Sequence, residues 1–388
     1  MADEANPLPG LLQAAEEATP VEAVDVVAHN LHRRFGAETV SFLLVDLTGQ
    51  AVVRLTTVGS VESGQDAERI SLPGSVYGQV VRTQQPHQGT VPRGVRLITP
   101  VTNRGDAIGL LELTLPRTPA ESVLRAVREA ARALAYIVIT NQRFTDLYTW
   151  GRRTTPLSLA AEIQHQLLPV SLACEAAQFT LSGALEPAAT ISGDTFDFTL
   201  DRETLHLSVT DPMGHDLHAA LLATLLMGAL RGARRAGADI DEQARRADHA
   251  LLEYGGGHAT GQLLRVNLRS GRTQLVNAGH PWPLRVRAGR VEEISLAVDQ
   301  PFGLPFPHTY QVQSLDLRPG DRLVMFTDGL LERGAEDLGL DTILMDAQHL
   351  HPRETALSLT ERVLEANNGR LEDDATVMVL DWHGSGGG

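Results

Sequence analysis

Residues 205–226 read LHLSVTDPMGHDLHAALLATLL. Leu205, Leu207 and Val209 alternate with His206, Ser208 and Thr210, the period-two pattern of a strand with one apolar face. The strand stops on Asp211. A Pro–Met–Gly–His–Asp turn follows, and a helical run begins in which Ala219, Leu222, Leu225 and Leu226 read as core. A carboxylate at the tip of an apolar strand is costly to bury alone. Its partners elsewhere in the chain therefore decide what this strand end is for.

The pattern recurs. An Asp closes or opens an apolar strand in ISGDTFD (Asp194), SVTDPMG (Asp211), MFTDGLLE (Asp328) and LEDDATVMVL (Asp373 and Asp374). Singly, each reads as a turn former or a helix cap. Together, half-buried carboxylates repel one another and resist ionising, and a multivalent cation resolves the conflict. An all-oxygen donor set with no Cys nearby selects hard ions, Mg²⁺ or Mn²⁺. Two such ions sharing one carboxylate can hold a hydroxide that attacks a phosphate in line while the metals take up phosphoryl charge.

The whole chain fits this reading. Its 388 residues allow about two or three domains, and 43% hydrophobic with 21% charged residues is ordinary for a protein with a real core. A net charge of −15 argues against nucleic acid or anionic lipid as the main partner. The single cysteine, Cys174, excludes an internal disulfide and a Cys-based zinc cluster and suits a reducing cytoplasm. The first residues show no secretory signal pattern, and the longest apolar run, 219–230, is too short to span a bilayer. The chain contains no lysine, which excludes a Walker A loop and Schiff-base chemistry.

Toward the N-terminus, residues 1–19 read as a tail or first helix and Val21–Phe35 as an amphipathic helix. ETVSFLLVDLTGQAVVRLTTVGS reads as two strands, LPGSVYGQVVRTQQP as a short helix, and RGVRLITPVTNRGDAIGLLELTLPR as a hairpin turning at 103–106. The pieces FLLVDLTGQ, GSVYGQVVRTQQP and LITPVTNRGDAIGLLEL, in this order over residues 20–145, resemble GAF sensor domains. That resemblance implies a pocket for an unidentified small-molecule or protein signal. No cysteine precedes Cys174, so a thioether-linked bilin is excluded. His29, His32 and His87 read as surface or packed residues rather than haem ligands.

Val123, Val127, Ala130, Leu134, Ile137, Asn141, Phe144 and Tyr148 then follow 4-3 spacing, a heptad seam. The expectation is a helix that packs on its own sheet and also pairs in a homodimer, within a linker at 119–168. EIQHQLLP, ending at Pro169, forms the second linker helix. Beyond it, residues 169–383 read as strand-rich, with two helices at Asp216–Ala236 and Ile240–Tyr254.

The landmarks EIQHQLLP, SGDTFD, TDPMGHDLHAALLA, NAGHPWPL, PFGLP, LRPGDRLVMFTDGLLE and EDDATVMVL occur in the order found in PPM-type metal-dependent Ser/Thr protein phosphatases of the bacterial SpoIIE/RsbU-like branch. Residues 157–382 resemble that family. The resemblance implies an α+β protein in two parts, a GAF-like antiparallel sheet and an αββα sandwich, joined by helices. It implies two Mn²⁺ or Mg²⁺ ions held by Asp194, Asp211, the Pro212 carbonyl, Asp328 and Asp373, with Asp374 the lesser candidate beside Asp373. It also implies a phosphorylated anti-anti-sigma (STAS) protein as substrate. His215 is the candidate general acid and His280 reads as structural; no arginine is clearly assigned to phosphate, with Arg152, Arg153 and Arg322 as candidates. The sequence departs from the family at Ser192, Thr195, Phe196 and Asp216, the last expected to cap the helix. A catalytically weak ligand-gated scaffold and a small-phosphoester hydrolase are the alternatives.

Overall fold

The computed structural model describes residues 8–46, 49–57, 60–61, 68–153, 157–188, 193–331 and 339–384. Two compact units divide between Pro156 and Leu157.

In the first unit, α1 (Leu8–Glu17) and α2 (Ala23–Phe35) precede strands β1 (Thr39–Val45), β2 (Ala51–Thr57), β3 (Ser60–Val61) and β4 (Arg69–Ser71). Then come α3 (Val76–Thr83), β5 (His87–Val91), β6 (Gly94–Asn103), β7 (Asp106–Leu115), α4 (Glu121–Asn141) and α5 (Leu147–Gly151). The strands form one antiparallel sheet in the order β3-β2-β1-β7-β6-β5, with β4 also on β2. One face packs under α1, α2 and α4 through Val27, Leu31, Phe42, Leu111 and Leu134. The other packs under α3 through Leu43, Val52, Val80, Ile98 and Leu110. Beside α3 the second face turns polar: Glu112 accepts from Arg54 at 2.9 Å and from the Tyr77 hydroxyl at 2.5 Å. His29 is a surface residue whose ring donates to the Asp25 carbonyl of its own helix.

Helix α4 packs on its own sheet as expected, but the seam is shorter than the spacing predicts. Val127, Ala130, Leu134 and Ile137 are buried against the unit's own sheet, and the helix stops at Asn141, before Phe144 and Tyr148. Phe144 is 71% exposed. A helix lying on a sheet buries a stripe as wide as a coiled-coil seam, so 4-3 spacing alone does not separate the two.

The second unit begins with α6 (Leu159–Leu167) and continues through β8 (Ala173–Glu175), β9 (Phe179–Glu186), β10 (Thr195–Leu200), β11 (Thr204–Pro212), α7 (Asp216–Arg235) and α8 (Ile240–Tyr254). Strands β12 (Ala259–Asn267), β13 (Thr273–Ala278), β14 (Leu284–Arg287), β15 (Arg290–Glu293), β16 (Gln313–Leu315) and β17 (Arg322–Phe326) follow. A 3₁₀ turn at Asp328–Leu331, α9 (Leu340–Asp346), α10 (Pro352–Ala366) and β18 (Ala375–Trp382) complete it. Two sheets, ordered β10-β11-β12-β13-β16 and β15-β14-β17-β18-β9-β8, face each other.

Phe179, Phe196, Leu205, Leu207, Val209, Leu264, Met325 and Met378 fill the space between the sheets. Helices α7 and α8 cover the outside of the first sheet through Leu222, Leu226, Leu251 and Leu263. Helices α9 and α10 cover the second through Leu344, Leu359, Val324 and Val379. The layering is helix, sheet, sheet, helix. Two points depart from expectation. Helix α6 belongs to the second unit instead of a separate linker, so the division falls twelve residues before the expected start at 169. Helices α9 and α10 also add to the two expected; α10 is opened by a capping box at His351.

Candidate metal centre

The two sheets of the sandwich end together, and the acids sit at that common end. Asp194 immediately precedes β10. Asp211 closes β11, paired with Thr260 across the ladder. Asp328 opens the turn after β17, and Asp373 and Asp374 precede β18.

Asp194 is 1% exposed. Its Oδ2 accepts from Thr327 Oγ1 at 2.7 Å, while its Oδ1 is buried with no hydrogen-bond partner. Burial, with Asp211 and Asp374 close by, drives its carboxyl well above the usual carboxylate range. Asp211 is half-buried, and desolvation together with Asp328, Asp373 and Asp374 pushes it up to about 8. Asp328 lies at the mouth, where partial desolvation and the neighbouring Asp373 raise it too. Acids from both sheets thus feel one another, and a cation among them would relieve that repulsion.

Asp374 differs from its neighbour. It is fully buried, and its carboxylate accepts from the Ala188 N–H at 2.8 Å, the Gly193 N–H at 3.2 Å and Gln164 Nε2 at 2.6 Å. Those bonds occupy its oxygens with a structural task. Asp373 is half-buried, and its Oδ1 accepts from the Asp374 N–H at 2.8 Å. Gly193 adopts φ +93° against the backbone of Ala219, and Gly329 lies so close to the Asp374 carbonyl that a Cβ would sit 2.1 Å from it. Both glycines permit the close approach that brings the acids together.

The donor set fits hard divalent cations: carboxylate oxygens, one of them orphaned and buried, with no sulfur among them. The Pro212 carbonyl directly follows Asp211 at the end of β11. Among the described residues, no three acid, His or Cys side chains close on a single ion in this conformation.

Other expected site residues fall differently. His215 and Asp216 are both exposed and pair with each other at 2.9 Å. Asp216 is not a helix cap: the cap position is His215, which makes no capping bond, and Asp216 takes φ +63° as the first helical residue. That left-handed backbone is one Asp tolerates and Gly prefers. His280 is buried, bonds Thr260 Oγ1 through Nδ1 at 2.8 Å, and is pushed by burial down to about 3, consistent with a structural role. Arg322 is not available to phosphate. Its guanidinium is buried on Asp381, Thr355 and the Ala347 and Leu350 carbonyls. Arg152 and Arg153 lie in the first unit. Ser192 of SGDTFD lies outside the described residues.

Three residues were not anticipated. Thr327 bonds Asp194, and the Thr376 N–H donates back to Thr327 Oγ1 at 3.0 Å. Asp197, the second acid of SGDTFD, is buried between Arg231 and Arg234. Gln164 on α6 is fully buried and donates to both Asp374 and the Asp194 carbonyl. Their only sequence signal was membership in the SGDTFD, FTDG and EIQHQLLP landmarks.

Residues 201–383 match the family model of stage II sporulation protein E (SpoIIE). That span takes in Asp211, Asp328 and Asp373 and leaves out Asp194 and Gln164. The chain is 24% identical over 237 residues to phosphoserine phosphatase RsbP of Bacillus subtilis (strain 168), an alignment covering 58% of this chain and 57% of RsbP. It is 22% identical over 232 residues to phosphoserine phosphatase RsbU of the same bacterium, covering 58% and 69%. The solved RsbU and RsbW domains of a Mycobacterium tuberculosis protein superpose with a TM-score of 0.48 at 24% identity, covering 57% of this chain and 63% of that one. The chain thus spans little more than half the length of RsbP.

Proposed function

We propose, from the SpoIIE-like character of residues 201–383 and the acid cluster of the second unit, that this unit is a divalent-metal-dependent phosphatase acting on phosphoserine or phosphothreonine in a protein. The observation that carries the reading is the convergence of Asp194, Asp211, Asp328 and Asp373 from both sheets, with Asp211 raised to about 8 by burial and its neighbours. Those four side chains and the Pro212 carbonyl would hold two Mn²⁺ or Mg²⁺ ions. When bound, the ions supply charge neutralisation for the phosphoryl group and activation of a water for attack on phosphorus. Asp211, between the acids of both sheets, is the ligand suited to share two ions. His215, exposed on the turn after Asp211, is the proposed donor of a proton to the departing serine or threonine oxygen.

A phosphorylated anti-anti-sigma (STAS) protein, the substrate that the resemblance to the SpoIIE/RsbU-like branch implies, is the proposed substrate class, with control of an alternative sigma factor as the outcome; the names of RsbP and RsbU support action on phosphoserine. The first unit is proposed as a GAF-like sensor that receives a small molecule or a protein signal. Its polar patch of Arg54, Tyr77 and Glu112 beside α3 supports a ligand-facing side.

Phosphate release from p-nitrophenyl phosphate, measured with Mn²⁺, Mg²⁺ or EDTA, tests the reading. Activity should require metal. Asp211→Asn should lower it at least about a hundredfold, roughly 3 kcal/mol of lost transition-state stabilisation. Metal-independent turnover, or an Asp211→Asn chain as active as the parent, refutes it. A chain inactive with every metal would favour the scaffold reading.

A further inference from the structure

His206 stands on β11 five residues before Asp211, about 16 Å from it along the strand, and is 6% exposed. Its Nε2 meets Asp201 Oδ2 at 3.3 Å, while its Nδ1 is buried with no hydrogen-bond partner. Asp201 is held ionised by its backbone and His206 bonds, and a carboxylate only accepts, so the ring proton is on Nε2 and Nδ1 is a bare lone pair. A buried polar atom left without a partner is uncommon and asks for a reason.

The surroundings of that lone pair are cationic. Arg265 lies directly opposite His206 on β12, and Cβ atoms of such pairs are about 5 Å apart. Its Nε is buried and unpartnered, and among the described residues its guanidinium forms no hydrogen bond or ion pair. Arg234, in the last turn of α7, gives one N–H to Asp197 Oδ2 at 3.0 Å. Burial, Arg265 and Arg234 together hold the His206 ring below the usual histidine range, against the pull of Asp201. Arg231 is already engaged, with Asp197 and the Leu167 carbonyl. Three guanidinium groups thus face two carboxylates, Asp197 and Asp201, in a chain of net charge −15. One positive charge is left over with the imidazole neutral, and two with it protonated. A cation at a helix C-terminus is ordinary and accounts for Arg234. It does not account for an unpaired Arg265 beside an unpartnered Nδ1.

We propose that His206, Arg265 and Arg234 form a binding site for a tetrahedral oxyanion of the phosphate class, and that its occupation adds one proton to His206. The donors converge from β11, β12 and α7, three directions that suit a tetrahedral anion better than a planar carboxylate. The proton comes from solvent and enters at Nδ1, which then donates to the anion, while Nε2–H stays on Asp201. Both arginines add charge-assisted hydrogen bonds. The site is remote from the acid cluster and independent of the phosphatase reading. Inorganic phosphate and a phosphoserine side chain of a partner protein present the same group to it.

The test is isothermal titration calorimetry of the full chain in EDTA, with sulfate, inorganic phosphate and a phosphoserine tripeptide, in the parent, Arg265→Gln and His206→Gln. EDTA keeps metal from holding anions at the acid cluster. The parent should bind sulfate, which does not itself titrate, more tightly as the pH falls from about 8 to about 5.5. Two buffers of different ionisation heat should show proton uptake approaching one per anion. Arg265→Gln should weaken binding by about tenfold or more, the loss expected for a hydrogen bond between charged groups. His206→Gln keeps a donor for Asp201 and removes the titrating ring, so the proton uptake should vanish. The two changes lie on separate strands, so one still reads the site if the other fails to fold. Binding of phosphate alone identifies a free ion as the ligand, and tighter binding of the peptide identifies a phosphorylated protein segment; both support the site. A parent that binds none of the three, acetate bound as tightly as sulfate, or an Arg265→Gln chain that binds like the parent overturns it. Proton uptake that persists in His206→Gln overturns the role of the ring. None of these outcomes bears on metal-dependent phosphatase activity, which is measured separately with Mn²⁺.

Discussion

His280 shows how far burial moves a single residue. Its ring is enclosed in the second unit, bonded to Thr260, and burial holds it neutral down to about pH 3. An unfolded histidine takes a proton near 6.5. Above that value both states are neutral and the group is silent. Below it the unfolded chain gains a proton that the fold refuses, so stability is lost as pH falls from about 6.5 toward 3, at up to about 1.4 kcal/mol per pH unit. Between pH 6.5 and 5 that amounts to about 2 kcal/mol. Urea unfolding at the two pH values should show His280→Gln losing less stability than the parent by about that amount. An identical loss in both chains would mean that the ring titrates freely.

The same reasoning distinguishes the two adjacent acids before β18. Asp374 spends its oxygens on backbone N–H groups and Gln164, and Asp373 stands outside that network. In sequence they are neighbours of one type, and only their hydrogen bonds tell them apart.

At the scale of elements, the metal centre is built where two strand ends and two turns meet, and the turns are the fragile part. The 3₁₀ turn at 328–331 rests on the start of β18 because Gly329 has no side chain. A Cβ there would overlap the Asp374 carbonyl, and no rotamer change relieves a clash with backbone. Gly329→Ala should therefore push Asp328 away from Asp373. A loss of about 1–3 kcal/mol of stability is expected, the usual cost of overpacking, together with a much larger loss of Mn²⁺ binding. Thermal unfolding and Mn²⁺ titration of the same sample check it; unchanged metal affinity would show that the turn does not position Asp328. Helix α6 works in the opposite sense. It contributes no acid, yet its buried glutamine and its Arg231 clamp fasten it to the segments that do.

At the scale of the whole chain, each unit has its own core. Residues 11–148 supply the cores of the first, and the cores of the second are drawn from the sandwich. Calorimetry should resolve two transitions. Leu134→Asp buries a charge in the first core only, at a cost of several kcal/mol. It should lower one transition, leave the other in place, and leave the mass measured by light scattering unchanged. A fall in mass with both transitions intact would restore the heptad stripe of α4 as an intermolecular seam. Among the described residues no helix is long and apolar enough to cross a membrane.

The sequence by itself determined the alternation of the strands, the positions of α7 and α8, and the four strand-end aspartates, because period-two and period-3.6 patterns and turn chemistry are local properties. It identified the second unit as layered sheets under helices from the order of its motifs. It left undecided which acid before β18 is tied to Gln164, whether Arg322 reaches phosphate, what the stripe on α4 faces, and where α6 belongs. Each of those depends on contacts between residues far apart in the chain. Asp374 is told from Asp373 by Gln164, 210 positions away, and Arg322 is held by Asp381 across β17 and β18. Local patterns report which face of an element is apolar. Only the packed structure reports what that face, or a polar group buried on it, meets.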